Sequence, residues 1–125
     1  MTSRFPIQPQ PLSAAIADRL RQQILAGHYP PGSDLLDGDI AVQLGVSRTP
    51  VREAMKQLCH EGLLTAHPRR GMVIATVTPE QMDEAQQLLE VLTQHFAQHP
   101  CVRDGLGQRM LEMVQSQLQL AQISR

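Results

Sequence analysis

Positively charged side chains recur every four residues in one segment of the chain. Arg48, Arg52 and Lys56 lie at this spacing, and residues four apart in a helix share one face. An arginine on such a face can pair with a guanine edge or a phosphate through two parallel hydrogen bonds. This cationic stripe of Arg48, Arg52 and Lys56 therefore favours contact with a polyanion. The alternative is that it is an ordinary helix face exposed to solvent.

A second cationic group lies in a predicted hairpin turn. Residues 63–75 have the pattern of two short strands joined by His67-Pro68-Arg69-Arg70-Gly71, with β-branched residues on the return strand. Between residues 47 and 71 there are five basic and two acidic side chains, although the formal net charge of the whole chain is −1. The positive charge is local, which fits a small footprint on a polyanion. The alternative is an ordinary hairpin turn.

Two helices are predicted ahead of the cationic stripe. Apolar residues at spacings of three and four predict a first helix that Ser13 caps and Gly27 ends. Asp37 is the predicted cap of a short second helix that Gly45 ends. The inward positions are Ile16, Leu20 and Ile24 in the first helix, and Ile40, Ala41 and Leu44 in the second.

The stripe itself lies on a predicted third helix. A hydroxyl of Ser47 or Thr49 can cap this helix, and Pro50 lies in the first turn, where no intrahelical donor is lost. A helix-turn-helix typically has a small residue, then a glycine at the turn, then a β-branched residue in the next helix, and Ala41, Gly45 and Val51 follow this pattern. With a helix before it and a hairpin after it, this unit is a winged helix-turn-helix. Such a unit places its third helix in the major groove of DNA and its wing on phosphates or in the minor groove.

Two further helices are predicted after the hairpin. Thr78 caps the fourth, Pro79 takes its first position and Pro100 ends it, and the fifth runs from about Asp104 to Gln122. The fifth helix has more apolar surface than one partner helix can cover, so we expect something further to pack there. The apolar positions are Met82, Ala85, Leu89, Leu92 and Phe96 in the fourth helix, and Leu106, Met110, Leu111, Met113, Val114, Leu118 and Leu120 in the fifth.

Composition and motifs argue against several functions. The 125 residues are 42% apolar but include only two Phe, one Tyr and no Trp, so stacking platforms for single-stranded nucleic acid are not expected. No apolar run suits a membrane span or a signal peptide. Cys59 and Cys101 lack the spacing of a zinc site and are expected to be reduced thiols. We therefore expect a cytoplasmic protein with no membrane partner.

No catalytic or cofactor motif occurs in the sequence. GxSxG, HExxH and P-loop patterns are absent, and Lys56 is the only lysine. His95 and His99 are four residues apart and can in principle share a metal, but two ligands beside Pro100 favour a surface pair. The sequence therefore predicts no enzyme, no cofactor and no resident metal.

Several segments resemble the DNA-binding domain of the GntR family of bacterial transcription regulators. The resemblance covers residues 12–78 and is carried by Ile24-Leu25-Ala26-Gly27, Pro30-Pro31-Gly32, residues 44–54, Glu61-Gly62-Leu63-Leu64 and Arg69-Arg70-Gly71. The Ser-Arg-Thr-Pro-Val-Arg-Glu-Ala stretch resembles the FadR-type branch. The resemblance implies a homodimer on a short inverted repeat, with part of the third helix on the DNA and Gly71 at the wing tip. Together with the two basic patterns, the predicted DNA-binding residues are Ser47, Arg48, Thr49, Arg52, Lys56, Arg69, Arg70 and Gly71.

The sequence departs from the FadR-type branch in two places. That branch usually carries an all-helical ligand-binding bundle, often with a metal site, which is much longer than residues 79–125. A two-helix tail is similar instead to YtrA-type members, in which it serves dimerisation, and we expect any effector to bind between subunits. Gly38, beside Asp37 and Asp39, stands where the branch can carry a basic residue. A phosphate contact from the second helix is therefore not expected.

These patterns predict a mainly α protein with a small β-hairpin. We expect a flexible arm at residues 1–11, a winged helix-turn-helix at 12–77 and a helical dimerisation tail at 78–125, the last being alternatively a truncated effector domain. The expected function is a transcription regulator, a repressor, that binds a double-stranded operator as a homodimer on a short inverted repeat. The alternative is a winged-helix adaptor that binds another protein through its apolar tail.

Overall fold

A computed structural model describes residues 11–100 and 105–123, which form five helices and three short strands. The helices are α1 (Leu12–Leu25), α2 (Asp37–Leu44), α3 (Arg48–His60), α4 (Pro79–Gln98) and α5 (Leu106–Ile123), and the strands are β1 (Asp34–Leu35), β2 (Leu64–His67) and β3 (Gly71–Ile74). This order confirms a winged helix-turn-helix followed by two helices. The predicted arm lies outside the described residues except for Pro11. Among the described helices, none is both long enough and apolar enough to cross a membrane.

The three strands form one antiparallel sheet in the order β1, β3, β2. Across the predicted hairpin, Leu64 pairs with Ile74 and His67 pairs with Gly71. On the other side of β3, Leu35 pairs with Met72. Strand β1 was not predicted because two residues are too few to show an alternating pattern. This strand ties the segment ahead of α2 to the wing.

The core of the head, defined as residues 12–77, lies between α1, α2, α3 and the sheet. The predicted inward positions of α1 and α2 are buried, apart from Leu44, which is half-buried, and α3 buries Val51, Ala54, Met55 and Leu58. The largest fully enclosed side chains include Leu20, Ile24, Leu58 and Ile74. Each such aliphatic side chain contributes about 1.5–3 kcal/mol through burial. The fully buried core of the head is therefore aliphatic, and Tyr29 packs against it partly buried.

The predicted caps of α1 and α2 are wrong. Helix α1 begins at Leu12, with Pro11 as its N-cap residue, so Ser13 lies inside the helix. Helix α2 begins at Asp37 itself, and the extended residue before it, Leu36, occupies the N-cap position. In neither helix does a side chain of the N-cap residue make a capping hydrogen bond to a described residue. The carboxylate of Asp37 is thus available for another partner.

Helices α4 and α5 form the tail, defined as residues 78–123, and pack against each other. The Thr78 hydroxyl accepts a hydrogen bond from the Gln81 N–H at 3.1 Å, and the Gln81 side chain accepts one from the Thr78 N–H at 2.9 Å. This capping box, with Pro79 at the first position, confirms the predicted start of α4. The half-buried residues of α4 are those of the predicted apolar face: Met82, Ala85, Leu89, Leu92 and Phe96.

The last turns of α5 also contact the head. Leu120 is fully buried within the head's core cluster. The Gln117 side chain donates to the Gly62 carbonyl at 2.8 Å, and the Gln119 side chain donates to the Leu25 carbonyl at 3.1 Å. These contacts fix the tail against the head. Anything that binds the tail therefore has a defined position relative to α3.

Candidate nucleic-acid interface

Helix α3 is buried on one face and cationic on the other. Val51, Ala54 and Leu58 have no exposed surface, because they pack into the core of the head. Gly45 ends α2 as predicted, in a left-handed conformation with φ of 67°, and turns the chain into α3. The structure consequently brings the predicted cations to one exposed surface: Arg48, Arg52 and Lys56.

The start of α3 presents two exposed hydroxyl groups. Ser47 is the N-cap residue, but its hydroxyl makes no capping hydrogen bond to any residue that the structure describes, so the predicted hydroxyl cap is wrong. Ser47 and Thr49 are both exposed. First-turn N–H groups without a side-chain cap lie at the positive end of the helix dipole, where helices bind phosphate. Hydroxyls and amides here can therefore donate to a nucleic-acid backbone.

Arg52 pairs with the first residue of α2. Its Nε donates to Oδ2 of Asp37 at 2.6 Å, and the Gly38 N–H donates to Oδ1 of the same carboxylate at 2.7 Å. The hydrogen bond from Arg52 lowers the pKa of Asp37; desolvation opposes this, while the Gly38 N–H and the charges of Arg52 and Arg48 lower the pKa further. The carboxylate is therefore ionised at neutral pH and holds the Arg52 side chain, which is 61% exposed.

The guanidinium group of Arg48 lies against Gly38. A Cβ atom placed on Gly38 would be 2.9 Å from Nη2 and 3.3 Å from Cζ of Arg48. The group thus occupies space that a side chain at position 38 would need. The sequence identified Gly38 only as the place of a missing basic residue. In the structure, the first turn of α2 contacts both arginines of α3.

The wing, defined as residues 64–74, uses its two arginines differently. The Nε and Nη2 atoms of Arg70 lie 2.9 Å and 2.7 Å from Oδ1 of Asp34, and Nη2 also donates to the Gly32 carbonyl at 3.1 Å. Arg69 is exposed and forms no ion pair with the residues described here. Gly71 has a φ of 84°, which a residue with a Cβ adopts only with strain. Arg70 thus holds the wing to β1, and Arg69 presents its charge to solvent.

A groove of about 250 Å³ lies between α3 and the wing. Apolar side chains contribute to its lining, including Leu36, which is 50% exposed and was not predicted as a site residue. Arg52, Lys56 and Arg70 also line it. Its lining therefore combines apolar surface with positive charge. Sequence periodicity could not find Leu36, because this residue lies in the short connection between β1 and α2.

The other candidate ligands do not join this surface. His95 and His99 are exposed on or next to α4, with ring centroids 5.0 Å apart. Within residues 11–100 and 105–123, no group of three or more His, Cys, Asp or Glu side chains is arranged to hold a metal. Cys59 is a half-buried free thiol, and Cys101 lies outside the described residues.

The fold and this surface define a winged helix-turn-helix domain with an exposed cationic face. Residues 12–74 match the family described as bacterial regulatory proteins, gntR family. The chain therefore belongs to the GntR family of transcription regulators, and residues 12–74 are its helix-turn-helix domain.

Individual relatives agree with this assignment. The chain is 31% identical over 112 residues to the uncharacterized HTH-type transcriptional regulator YdhC of Bacillus subtilis, covering 90% of this chain and 49% of that protein. It is 34% identical over 83 residues to the HTH-type transcriptional repressor RspR of Escherichia coli, covering 66% and 36% of the two chains. Its fold is similar to that of YtrA from Sulfolobus acidocaldarius, a GntR-family transcription factor, with a TM-score of 0.54, 21% identity, and coverage of 91% and 97%. The chain spans about a third to a half of the length of the curated relatives it matches.

Proposed function

We propose that this regulator is a repressor that binds a short inverted repeat in double-stranded DNA as a homodimer. One observation carries the proposal: α3 and its N-cap residue expose three cations and two hydroxyls, with the wing beside them. Residues 12–77 act as the DNA-binding domain in this proposal, and residues 78–125 act as the dimerisation tail. RspR, a relative described as a repressor, supports the direction of regulation.

Base reading is assigned to the two arginines of α3. Arginine pairs through two donors with O6 and N7 of guanine in the major groove, whereas lysine acts mainly as a point charge on phosphate. Arg48 and Arg52 therefore specify sequence, and Lys56 contributes affinity. The remaining proposed contacts position the protein on the backbone: Ser47 and Thr49 at the start of α3, and Arg69, Arg70 and Gly71 in the wing.

Dimerisation is assigned to exposed apolar side chains of the tail. On α4, Leu88 and Val91 are 40% and 61% exposed; on α5, the corresponding side chains are Leu106, Met110 and Met113. Within each helix these residues are three or four positions apart, so they share a face. A second copy would cover them. Since α5 is anchored to the head, a two-fold axis through the tail sets the distance between the two α3 helices, and a spacing of about 34 Å places them in successive major grooves.

Selection from a pool of random duplexes by the purified protein tests this function. We expect one enriched motif with two-fold symmetry, and a lower level of transcription from a reporter promoter that overlaps this motif. Failure to enrich any duplex would contradict sequence-specific binding. A rise in reporter transcription would contradict the repressor assignment alone. An adaptor, the second candidate, would keep its activity after substitution of both Arg48 and Arg52.

Arg69→Ala is expected to weaken binding to all duplexes by the same factor. A phosphate contact carries no sequence information, and its loss reduces the slope of log Kobs against log salt concentration by about one. Fluorescence anisotropy at four salt concentrations measures this slope for the operator and for a random duplex. Arg19→Ala, which removes an exposed cation from α1, is the matched control and should leave the slope unchanged. A loss confined to the operator would show that Arg69 reads bases instead.

A further inference from the structure

We propose that the first turn of α2 is a positioning platform for the two arginines of α3, in which Asp37 orients Arg52 and Gly38 makes room for Arg48. Asp37 is thereby a specificity-determining residue that need not touch DNA. The inference rests on the proposed function, because it assigns a role to these contacts in the reading of base pairs by α3.

The carboxylate of Asp37 is fixed at both oxygens. Oδ1 accepts the Gly38 N–H at 2.7 Å, and Oδ2 accepts Nε of Arg52 at 2.6 Å. The first bond ties the carboxylate to the backbone of α2, and the second ties a long, flexible arginine to that carboxylate. The Asp37 side chain is 28% exposed, so this contact is only partly open to solvent.

The pairing with Asp37 leaves the two Nη groups of Arg52 available to contact a base. Only Nε of Arg52 is used, and neither Nη group makes a hydrogen bond to a residue that the structure describes. Recognition of guanine requires two parallel N–H donors at a defined position and angle. A guanidinium held through Nε presents Nη1 and Nη2 with fewer alternative orientations. Orientation before binding reduces the entropy that binding must overcome.

Gly38 provides the other half of the platform. Nη2, Cζ and Nε of Arg48 lie 2.9, 3.3 and 3.4 Å from the position of a Cβ atom on Gly38, so the guanidinium rests on the helix backbone. The charge of Arg48 also favours the ionised form of Asp37. One turn of α2 thus contacts Arg48 and Arg52 together. A basic residue at position 38 would repel both arginines and occupy the space that Arg48 takes.

Neutralisation of Asp37 should change DNA affinity in opposite directions depending on whether the carboxylate positions Arg52 or only repels phosphate. A carboxylate next to a DNA-binding surface repels phosphate, so its neutralisation by itself should tighten binding to every duplex. Removal of a positioning contact should instead weaken binding to the correct sequence alone. Asp37→Asn keeps the size of the side chain and removes its charge, which makes it a direct test.

We expect Asp37→Asn to reduce discrimination about tenfold, within the range that one bidentate arginine contact provides. Discrimination is the ratio of affinities for the selected operator and for a duplex altered at the guanine assigned to Arg52, both measured by fluorescence anisotropy. Affinity for random duplex should stay equal or rise. Asp39→Asn is the matched control: Asp39 is exposed on the same turn, and no ion pair involves it among the described residues. This variant should leave discrimination unchanged.

Two further variants complete the test. Asp37→Glu keeps a carboxylate that can reach Nε, and it should restore most of the discrimination that Asp37→Asn loses. Gly38→Ala replaces glycine with a better helix former, so the variant should fold, and its Cβ should displace Arg48. Discrimination should then fall at the base pair assigned to Arg48 and remain at the base pair assigned to Arg52.

The outcomes that overturn the proposal differ from those that overturn the function. Equal tightening of operator and random duplex by Asp37→Asn and Asp39→Asn would make Asp37 an ordinary repelling charge. An Asp37→Glu variant that behaves like Asp37→Asn would exclude carboxylate pairing as the cause. Unchanged discrimination in Gly38→Ala would remove Gly38 from the platform. By contrast, an unmodified protein that prefers no duplex would contradict the proposed function itself.

Discussion

Replacement of Arg52 by alanine is expected to lower affinity for the selected operator about 5- to 150-fold, which corresponds to ~1–3 kcal/mol for a bidentate arginine contact. The Arg52 side chain is 61% exposed and, within the described part of the chain, is held only by its hydrogen bond to Asp37. Its removal should therefore leave the core of the head intact. Binding to random duplex should fall less, because it loses only the general attraction of one positive charge, whereas binding to the operator loses base reading as well. Anisotropy titrations against the operator and against duplexes altered at single positions should locate the base pair that Arg52 reads.

The control for Arg52→Ala is a cation with a different expected contact. Lys56→Ala removes the same charge one turn along α3 and should weaken operator and random duplex alike. Arg52→Ala also leaves the Asp37 carboxylate without its cation near DNA. A double-mutant cycle of Asp37→Ala, Arg52→Ala and the double variant therefore measures how strongly the two residues are coupled in operator binding. Equal operator affinity of Arg52→Ala and the unmodified protein would remove Arg52 from the interface.

The architecture of the head and the start of α4 were predictable because their signals are local. Gly45 ends α2 in a left-handed conformation within a short stretch of chain, and Thr78 caps α4 through a partner three residues away. In α3, the apolar residues Val51, Ala54, Met55 and Leu58 repeat at short helical spacings and are buried. This pattern leaves Arg48, Arg52 and Lys56 on the exposed surface of the helix. Each of these features depends on residues within one or two helical turns. Sequence spacing therefore contains the information needed.

The contacts that organise the interface depend on packing between distant segments. Arg52 pairs with Asp37 across 15 positions, and Arg70 pairs with Asp34 across 36. Adjacent arginines at the wing tip are equivalent in sequence, and only the position of β1 distinguishes Arg70 from Arg69. The role of Leu120 is similar: periodicity predicts that it is buried, but only the packing of α5 against the head shows that it joins the head's core. These relationships arise from the tertiary fold.

The proposed dimer can be tested through Val91, which is 61% exposed on α4. Val91→Glu should leave the monomer folded, since exposed positions tolerate substitution with changes within about 0.5 kcal/mol. In a dimer, the same side chain would place an unpaired charge in an apolar interface, at a cost of several kcal/mol. We therefore expect a monomer at micromolar concentration by sedimentation velocity.

Dissociation of the dimer should lower the affinity for the inverted repeat and leave the affinity for a single half-site unchanged. Two linked heads bind a repeat about 10²–10⁴-fold more tightly than one head, because the second contact is intramolecular. Val91→Glu should lose this factor on the full operator and match the unmodified protein on an isolated half-site. Thr93→Glu adds the same charge to an exposed position on another side of α4 and should retain the dimer. A dimer that survives Val91→Glu would place the interface elsewhere. An unmodified protein that stays monomeric with and without DNA would exclude the homodimer. The exposed apolar residues of the tail would then support the adaptor hypothesis instead.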